Sequence, residues 1–368
     1  MSVSSCLLDM PFYSISTAEL CGVLFGKSKV VKDDVCNNRF LNNILSVCNN
    51  SIFKELEFTY CTDDEFNRMY ECESCVELGV FHINIRSLNK NHRVLFLFLH
   101  SLKLDFDVIV LSEIWNYNLE FYHNVFPNYH FHFVVSETSN VCAVGIYVKN
   151  SFVVHELDHL RIPSTAENII ENLWLEIING NKKYIIGGIY RHPNQNIDEF
   201  NNLLDNCLSM IYKTKTPCII AGDINIDLIR YNSHNPTSDF VNNLLFNNFL
   251  PIIIMPTRIT DSSATLVDHI YYYDDSNSKR NVNIKSGNLW CDLTDHLPNY
   301  ILILNKHIKT KQNVRFVKIF SDSNIDKFNK LISATNWQQL YLLDDVDSAY
   351  QCFEDSVTKC YHTCFPLT

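Results

Sequence analysis

The chain has 368 residues, a formal net charge of −11, and 46% hydrophobic against 19% charged residues. Those values exclude a disordered chain and describe a globular protein, long enough for one large domain with flanking pieces or for two domains. The acidic balance argues against a passive nucleic-acid coat protein. It leaves room for an enzyme that meets nucleic acid through a small basic rim and a divalent cation.

The chain contains 14 cysteines, a number that would suit a disulfide scaffold in a small secreted protein. Here Met1-Ser2-Val3-Ser4-Ser5 has no basic stretch and no long apolar run follows. The expectation is an intracellular protein with mostly reduced, buried thiols. Val94 to Leu99 and Ile252 to Met255 fall far short of the ~18 apolar residues of a membrane span, so no membrane partner is expected.

Residues 1–78 read as a leader or linker, partly ordered. Short apolar groups alternate there with acidic patches such as Thr62-Asp63-Asp64-Glu65, without a sustained strand pattern. A helix is predicted around Asp34 to Val47. Cys72-Glu73-Ser74-Cys75, with Cys61 upstream, raises zinc, but the second pair or spaced histidines of a zinc site are missing.

Residues 79–305 alternate strands and helices. Val80 to Ile85 and Phe106 to Leu111 are predicted strands, with a helix from Val94 to Leu104 between them. Val144 to Val148, Leu173 to Ile178, Tyr184 to Tyr190 and Cys218 to Ala221 follow as strands, then Val267 to Tyr273 and Tyr300 to Leu304. Between Tyr190 and Pro217, apolar residues from Ile197 to Ile211 recur at helical spacing. A further helix is expected from Ser238 to Phe249, capped by Thr237-Ser238-Asp239. Many strands with few helices between them predict an α/β fold of two packed mixed sheets flanked by helices, a four-layer sandwich. Residues 306–368 begin basic and polar, Lys306 to Lys318, and continue with predicted helices at Ile325 to Ile332 and Asp347 to Tyr361.

The sharpest local signal is Cys218-Ile219-Ile220-Ala221-Gly222-Asp223-Ile224-Asn225, an apolar strand ending in Gly-Asp-x-Asn. Residues two apart in a strand point the same way, which predicts Asp223 and Asn225 in one cleft. Other strands end likewise: Asn84 after Ile83, Glu113 after Ser112, Tyr190 and Arg191 after Ile189. Asp268 and the run Thr294-Asp295-His296 complete the set. Each alone reads equally as a turn or cap residue. Together they place polar groups on one sheet edge, where open α/β folds carry their sites.

Their order resembles the endonuclease/exonuclease/phosphatase superfamily, whose fold is that of deoxyribonuclease I. Within it, the likeness is to the endonuclease domain of non-LTR retrotransposons of the Jockey and chicken-repeat type. It rests on Asn84-Ile85-Arg86-Ser87-Leu88, Ile189-Tyr190-Arg191-His192-Pro193 and Gly222-Asp223-Ile224-Asn225. Pro256-Thr257-Arg258-Ile259-Thr260, Leu266-Val267-Asp268-His269-Ile270 and Asp295-His296-Leu297-Pro298 extend it over residues 79–305. Asp9-Met10-Pro11-Phe12 resembles the leader before such domains. Residues 306–368 resemble the linker that runs into a reverse transcriptase, a domain this chain lacks.

The resemblance implies a Mg²⁺ ion, with Mn²⁺ as a substitute, at Glu113 with Asn84 and Asp295 nearby. It makes Asp223 the group that orients or deprotonates the attacking water and Asn225 the one that holds water or phosphate. His296, fixed by Asp268, would contact the scissile phosphate or transfer a proton, and Tyr190 would donate to a phosphoryl oxygen. Arg191 and Thr294 are the expected phosphate contacts. Thr294 and Ser112-Glu113-Ile114-Trp115 depart from the usual Ser and Thr-Glu-Thr-Trp, and Cys142-Ala143-Val144-Gly145 replaces a Gly-rich turn.

The implied activity is nicking of duplex DNA to leave a 3′-hydroxyl for target-primed reverse transcription. The polymerase or element RNA would come in trans, with the nucleus as the place of action. Three other readings share these residues: a phosphodiesterase for phosphoinositides or sphingomyelin, abasic-site repair, and a truncated remnant acting as a binding module.

Overall fold

The computed structural model describes residues 57–70, 76–115, 119–135, 143–165, 169–260, 262–275, 283–304, 322–343 and 345–365. The predicted helix at Asp34 to Val47, the Cys72–Cys75 pair and the basic stretch Lys306 to Lys318 lie outside the described residues. In chain order the first strands are β1 (Glu57–Cys61), β2 (Val76–Asn84), β3 (Val108–Ser112), β4 (Tyr129–Val134) and β5 (Val144–Lys149). Next come β6 (Val153–Glu156), β7 (Ile170–Asn179), β8 (Lys182–Arg191), β9 (Cys218–Asp223) and β10 (Leu250–Pro251). The last are β11 (Arg258–Ile259), β12 (Ala264–Thr265), β13 (Asp268–Tyr273), β14 (Asn283–Leu289) and β15 (Asn299–Leu304). The helices are α1 (Asp63–Met69), α2 (Leu88–Ser101), α3 (Leu119–Tyr122), α4 (Ile197–Thr214) and α5 (Asn235–Phe246).

Two mixed sheets form the frame, as the strand-rich pattern predicts. One runs β1-β14-β15-β2-β3-β5-β4, the other β10-β13-β9-β8-β7-β6, and β11-β12 is a separate ribbon. Strand alternation explains the layering. Val80, Val108 and Val110 join Leu175, Ile186 and Ile219 in one core between the sheets. Their neighbours Phe81, Ile83, Ile109 and Leu111 join Leu88, Leu95 and Leu99 of α2 in a second core on the outer face. A one-residue slip in either strand would exchange the two faces. On the far side, α4 buries Phe200, Leu204, Cys207, Leu208 and Ile211, the predicted helical stripe. Each such side chain contributes about 2 kcal/mol.

Four sequence expectations are corrected. The stretch 1–78 was expected to lack strands, yet β1 pairs in parallel with β14 at the edge of the first sheet, and β2 begins at Val76. Cys61, considered for zinc, lies buried in β1 with Sγ 3.9 Å from the Asn288 carbonyl and from Tyr300 Oη. The helix expected at Ser238 starts earlier: α5 opens after His234 with Pro at its first turn, where the missing N–H costs nothing. α2 likewise starts at Leu88, because the Ser87 side chain accepts the Lys90 N–H.

The helices α6 (Asp322–Ala334) and α7 (Val346–Cys364) belong to a second compact unit that begins at Lys309, while the sheets lie in the unit ending at Ile308. They coincide with the two helices predicted there. Among the described residues no helix is long and apolar enough to cross a membrane.

Candidate active site

The parallel pairs β2–β3 and β8–β9 all end on one edge of the sandwich. β13 and β15, antiparallel to their neighbours, begin there. Register then fixes who meets whom: Asn84 lies opposite Ser112, Asp223 opposite Asp268, and His82 opposite Asn299. The connecting loops hold Arg86, Ser87, Glu113, Trp115 and Asn225 at positive φ (44°, 88°, 53°, 60° and 53°). Such geometry in non-glycine residues costs of order 1–3 kcal/mol each and persists only where the surroundings impose it. Here the two loops are laced together, Ser87 N–H donating to the Glu113 carbonyl (2.8 Å) and Leu88 N–H to that of Ile114 (3.0 Å). Gly222 is required for a different reason: a Cβ there would lie 1.8 Å from the Ile189 carbonyl oxygen.

One carboxamide joins the two sheets. Asn84 Nδ2 donates to Glu113 Oε1 and to Asp223 Oδ2, both at 2.8 Å. Tyr190 Oη donates to the same Glu113 oxygen at 3.2 Å. Asp223 Oδ1 accepts the Asn225 N–H at 3.1 Å. Across the cleft, His296 Nδ1 donates to Asp268 Oδ2 at 2.8 Å, and the Thr257 hydroxyl donates to that same oxygen at 2.7 Å. Among the described residues, no hydrogen-bond partner meets the buried Asp268 Oδ1. Beneath them runs a polar relay: His82 Nδ1 to Asn299 Oδ1 (3.2 Å), His82 Nε2 to Ser112 Oγ (3.0 Å), and Asp223 N–H to Ser112 Oγ (3.2 Å).

The charges follow from burial and partners. Burial draws the His82 pKa down to about 4, so this ring is neutral, its Nδ1–H donating and its Nε2 accepting from the Ser112 hydroxyl. For His296, burial also acts downward, but Asp268 outweighs it and raises the pKa to about 9, so the ring is an imidazolium. The two facing carboxylates split unequally. Both suffer desolvation, yet Asp268 has His296 beside it and stays ionised. Asp223, buried against the charge of Asp268, is raised toward neutrality. A carboxylate so poised accepts a proton near neutral pH.

Four sequence-predicted residues sit differently from expectation. Asn225 does not share the face of Asp223, because β9 ends at Asp223 and the left-handed turn sends its Nδ2 to the Arg191 carbonyl (2.8 Å). Arg191, expected at a phosphate, is 1% exposed. It donates to the carbonyls of Ile224 (2.8 Å), Asn225 (2.8 Å) and Gln195 (3.0 Å), which makes it the brace of this loop. Thr294 Oγ1 accepts the His296 N–H (3.1 Å) and lies 3.0 Å from the Asn84 carbonyl, tying two site loops together. Asp295, expected near the metal, lies between two guanidiniums: Arg86 Nη1 at 2.6 Å, and Arg258 Nε and Nη2 at 2.9 and 2.8 Å. Partial burial would raise its pKa, but the two arginines hold it at about 2. The sequence assigns no role to Arg86, Arg258, His82, Ser112, Thr257 or Asn299, whose place in the site shows only in their partners.

Residues 81–296 match the model of the Endonuclease/Exonuclease/phosphatase family. The chain belongs to the endonuclease/exonuclease/phosphatase family. No curated protein sequence matches it. Among solved structures it is similar to an AP endonuclease from Leishmania major, at 12% identity and a TM-score of 0.51, covering 72% of this chain and 98% of that one. It is also similar to the endonuclease domain of TRAS1, a telomere-specific non-LTR retrotransposon (14% identity, TM-score 0.46, 61% of this chain and 98% of that one). A third is D. rerio TDP2 complexed with single-strand DNA product (14%, TM-score 0.48, 62% and 98%). At these identities the likeness is one of fold.

Members of the endonuclease/exonuclease/phosphatase family are hydrolytic nucleases and phosphatases and typically use a divalent metal. The donor set fits such an ion. Ligand atoms of Asp223, Asp268 and His296 lie within 4.8 Å of one another. A protonated His296 cannot ligate, however, and both Asp295 oxygens carry arginine. Glu113, held by Asn84 and Tyr190, remains as an oxygen donor beside Asp223, and Mg²⁺ is held by one or two carboxylates with water and substrate phosphate. The unpartnered Asp268 oxygen and the raised Asp223 pKa mark surplus negative charge that a cation would relieve.

Proposed function

We propose that this protein is a metal-dependent endonuclease that hydrolyses one phosphodiester of duplex DNA, leaving a 3′-hydroxyl. The observation that carries the reading is the Asn84 carboxamide joining Glu113 to Asp223 across the cleft from the Asp268–His296 ion pair. It sets a proton acceptor and a cationic donor against one small volume. Asp223, raised toward neutrality and oriented by Asn84 and the Asn225 N–H, takes the proton of the attacking water. Phosphorus gains that oxygen and loses O3′, which departs as the alkoxide and takes a proton from solvent to become the 3′-hydroxyl.

His296 keeps Nδ1 on Asp268 and donates from Nε2 to a phosphoryl oxygen, offsetting charge that grows in the transition state. Tyr190 holds Glu113 in place by donating to its Oε1. Glu113 would hold Mg²⁺ or Mn²⁺, which would supply Lewis-acid polarisation of the phosphoryl group and stabilise the leaving oxygen. Arg191 and Thr294 keep the loops in place.

The motifs quoted above favour a retrotransposon-type nickase, with a reverse transcriptase or element RNA as partner in trans and the nucleus as the place of action. Plasmid relaxation in Mg²⁺ tests the activity. The wild type is expected to convert supercoiled to open-circular DNA, and Asp223→Asn and His296→Ala to fail. Equal conversion by all three would overturn the reading. Release of phosphate from a soluble inositol phosphate without nicking would point instead to a phosphoinositide-type phosphodiesterase.

A further inference from the structure

Arg86 and Arg258 stand 172 positions apart in sequence, yet their guanidiniums converge on one carboxylate, that of Asp295. Arg86 is fixed at its base by a left-handed φ of 44° and by its N–H, which donates to Asn84 Oδ1 at 3.1 Å. Arg258 is fixed through the backbone: it forms a β-bridge with His296, and the Leu297 N–H donates to the Thr257 carbonyl at 2.7 Å. Both arginines are therefore anchored to chain segments of the site, Arg86 to that of Asn84 and Arg258 to that of His296.

Their far ends are open. The side chains of Arg86 and Arg258 are 53% and 46% exposed, against 27% for Asp295. Asp295 occupies Nη1 of Arg86 and Nε and Nη2 of Arg258. Solvent screens an exposed ion pair of this kind, so its carboxylate can be exchanged for another anion. A phosphodiester presents the same planar pair of acceptor oxygens and suits the arginine fork.

We infer that Arg86 and Arg258 form a clamp for a backbone phosphate adjoining the scissile one, and that Asp295 is its placeholder rather than a metal ligand. The inference rests on the DNA reading above and adds the part that grips the strand. In a chain of net charge −11, these two cations supply a local basic rim beside the cleft. The incoming phosphate displaces Asp295, whose charge holds the two like-charged guanidiniums together until then. Asp295 is thereby a positioning residue.

Fluorescence anisotropy of a short labelled duplex, in EDTA and over a series of salt concentrations, reads the clamp without catalysis. Arg86→Ala and Arg258→Ala are each expected to weaken binding roughly tenfold, the loss of one charge-assisted contact. Each should also lower the slope of log affinity against log salt by about one. Asp295→Asn should tighten binding in the wild-type background, and that gain should vanish in the Arg86→Ala/Arg258→Ala double variant. A gain that survives there is a diffuse charge effect and overturns the placeholder.

Calorimetric Mg²⁺ titration supplies the second readout. Asp295→Asn should leave the Mg²⁺ affinity within about twofold, and a tenfold or greater loss would return Asp295 to the metal. Thermal melts show whether each variant is folded, and Arg→Lys at either position retains the charge should Ala unfold the protein. If wild-type protein nicks plasmid while both arginine variants bind as it does, the clamp fails alone. If the wild type neither binds nor nicks duplex, the functional reading falls with it.

Discussion

The two halves of the cleft differ in how they handle charge. In the buried half, Asp223, Asp268, His82 and His296 are 6% exposed or less, and each makes short hydrogen bonds to protein partners. At the rim, Arg86, Asp295 and Arg258 pair in the presence of water. Low dielectric makes the buried interactions strong and their disruption severe, while solvent screens the rim. Chemistry and stability should therefore be sensitive to the first group, and substrate affinity to the second.

The largest expected effect is on turnover. His296→Ala and Asp223→Asn should each lower single-turnover nicking by roughly 10³-fold, removing a proton-transfer or charge-stabilising group. A loss below tenfold would place the chemistry elsewhere. Next in size is loop stability: Arg191→Ala would strand three carbonyls and should cost about 3–5 kcal/mol by denaturant melting. Loss of activity without loss of stability in this variant would mean that Arg191 meets substrate after all.

Acid stability comes third. His82 and His269 are both buried, and burial lowers each pKa from 6.5 to about 4. The unfolded chain takes up their protons first as pH falls below 6.5. Folding stability is full above that value and declines as pH drops through 4, by about 3 kcal/mol for each ring. Denaturant melts of His269→Gln should show a shallower acid decline than wild type, and an unchanged decline would contradict the neutral assignment. The smallest effect belongs to the rim, where Arg86→Ala should change the melting stability by less than about 1 kcal/mol. A larger loss would mean that the Asp295 pair is structural.

The frame was legible where apolar strands end abruptly in polar residues. Asn84, Glu113, Asp223 and Asp268 announced themselves by position, since each follows or opens an apolar run on the same edge. The edge strand β1 was not legible, because five residues with a partner more than 200 positions away carry no local pattern of their own. The relay through His82 and Ser112 was hidden for another reason. Both residues sit inside strands β2 and β3, where a lone polar residue reads as filler until register sets the two side by side. Asn225 misled because period-2 reasoning assumes the strand continues, whereas a left-handed turn rotates it onto Arg191. Arg191 misled because a basic residue beside a phosphate motif invites a phosphate contact, and only burial shows its donors spent on carbonyls.

The central claim is that Asp268 maintains His296 as the cationic group of a hydrolytic cleft. The most direct test is the pH dependence of single-turnover nicking by wild type and Asp268→Asn. The rate of wild type should fall as pH passes the His296 pKa near 9. Without Asp268, burial still lowers the ring's pKa and only the Asp223 and Asp295 charges raise it, so in the variant that fall should move to lower pH. An alkaline limb that stays in place in Asp268→Asn would contradict the account.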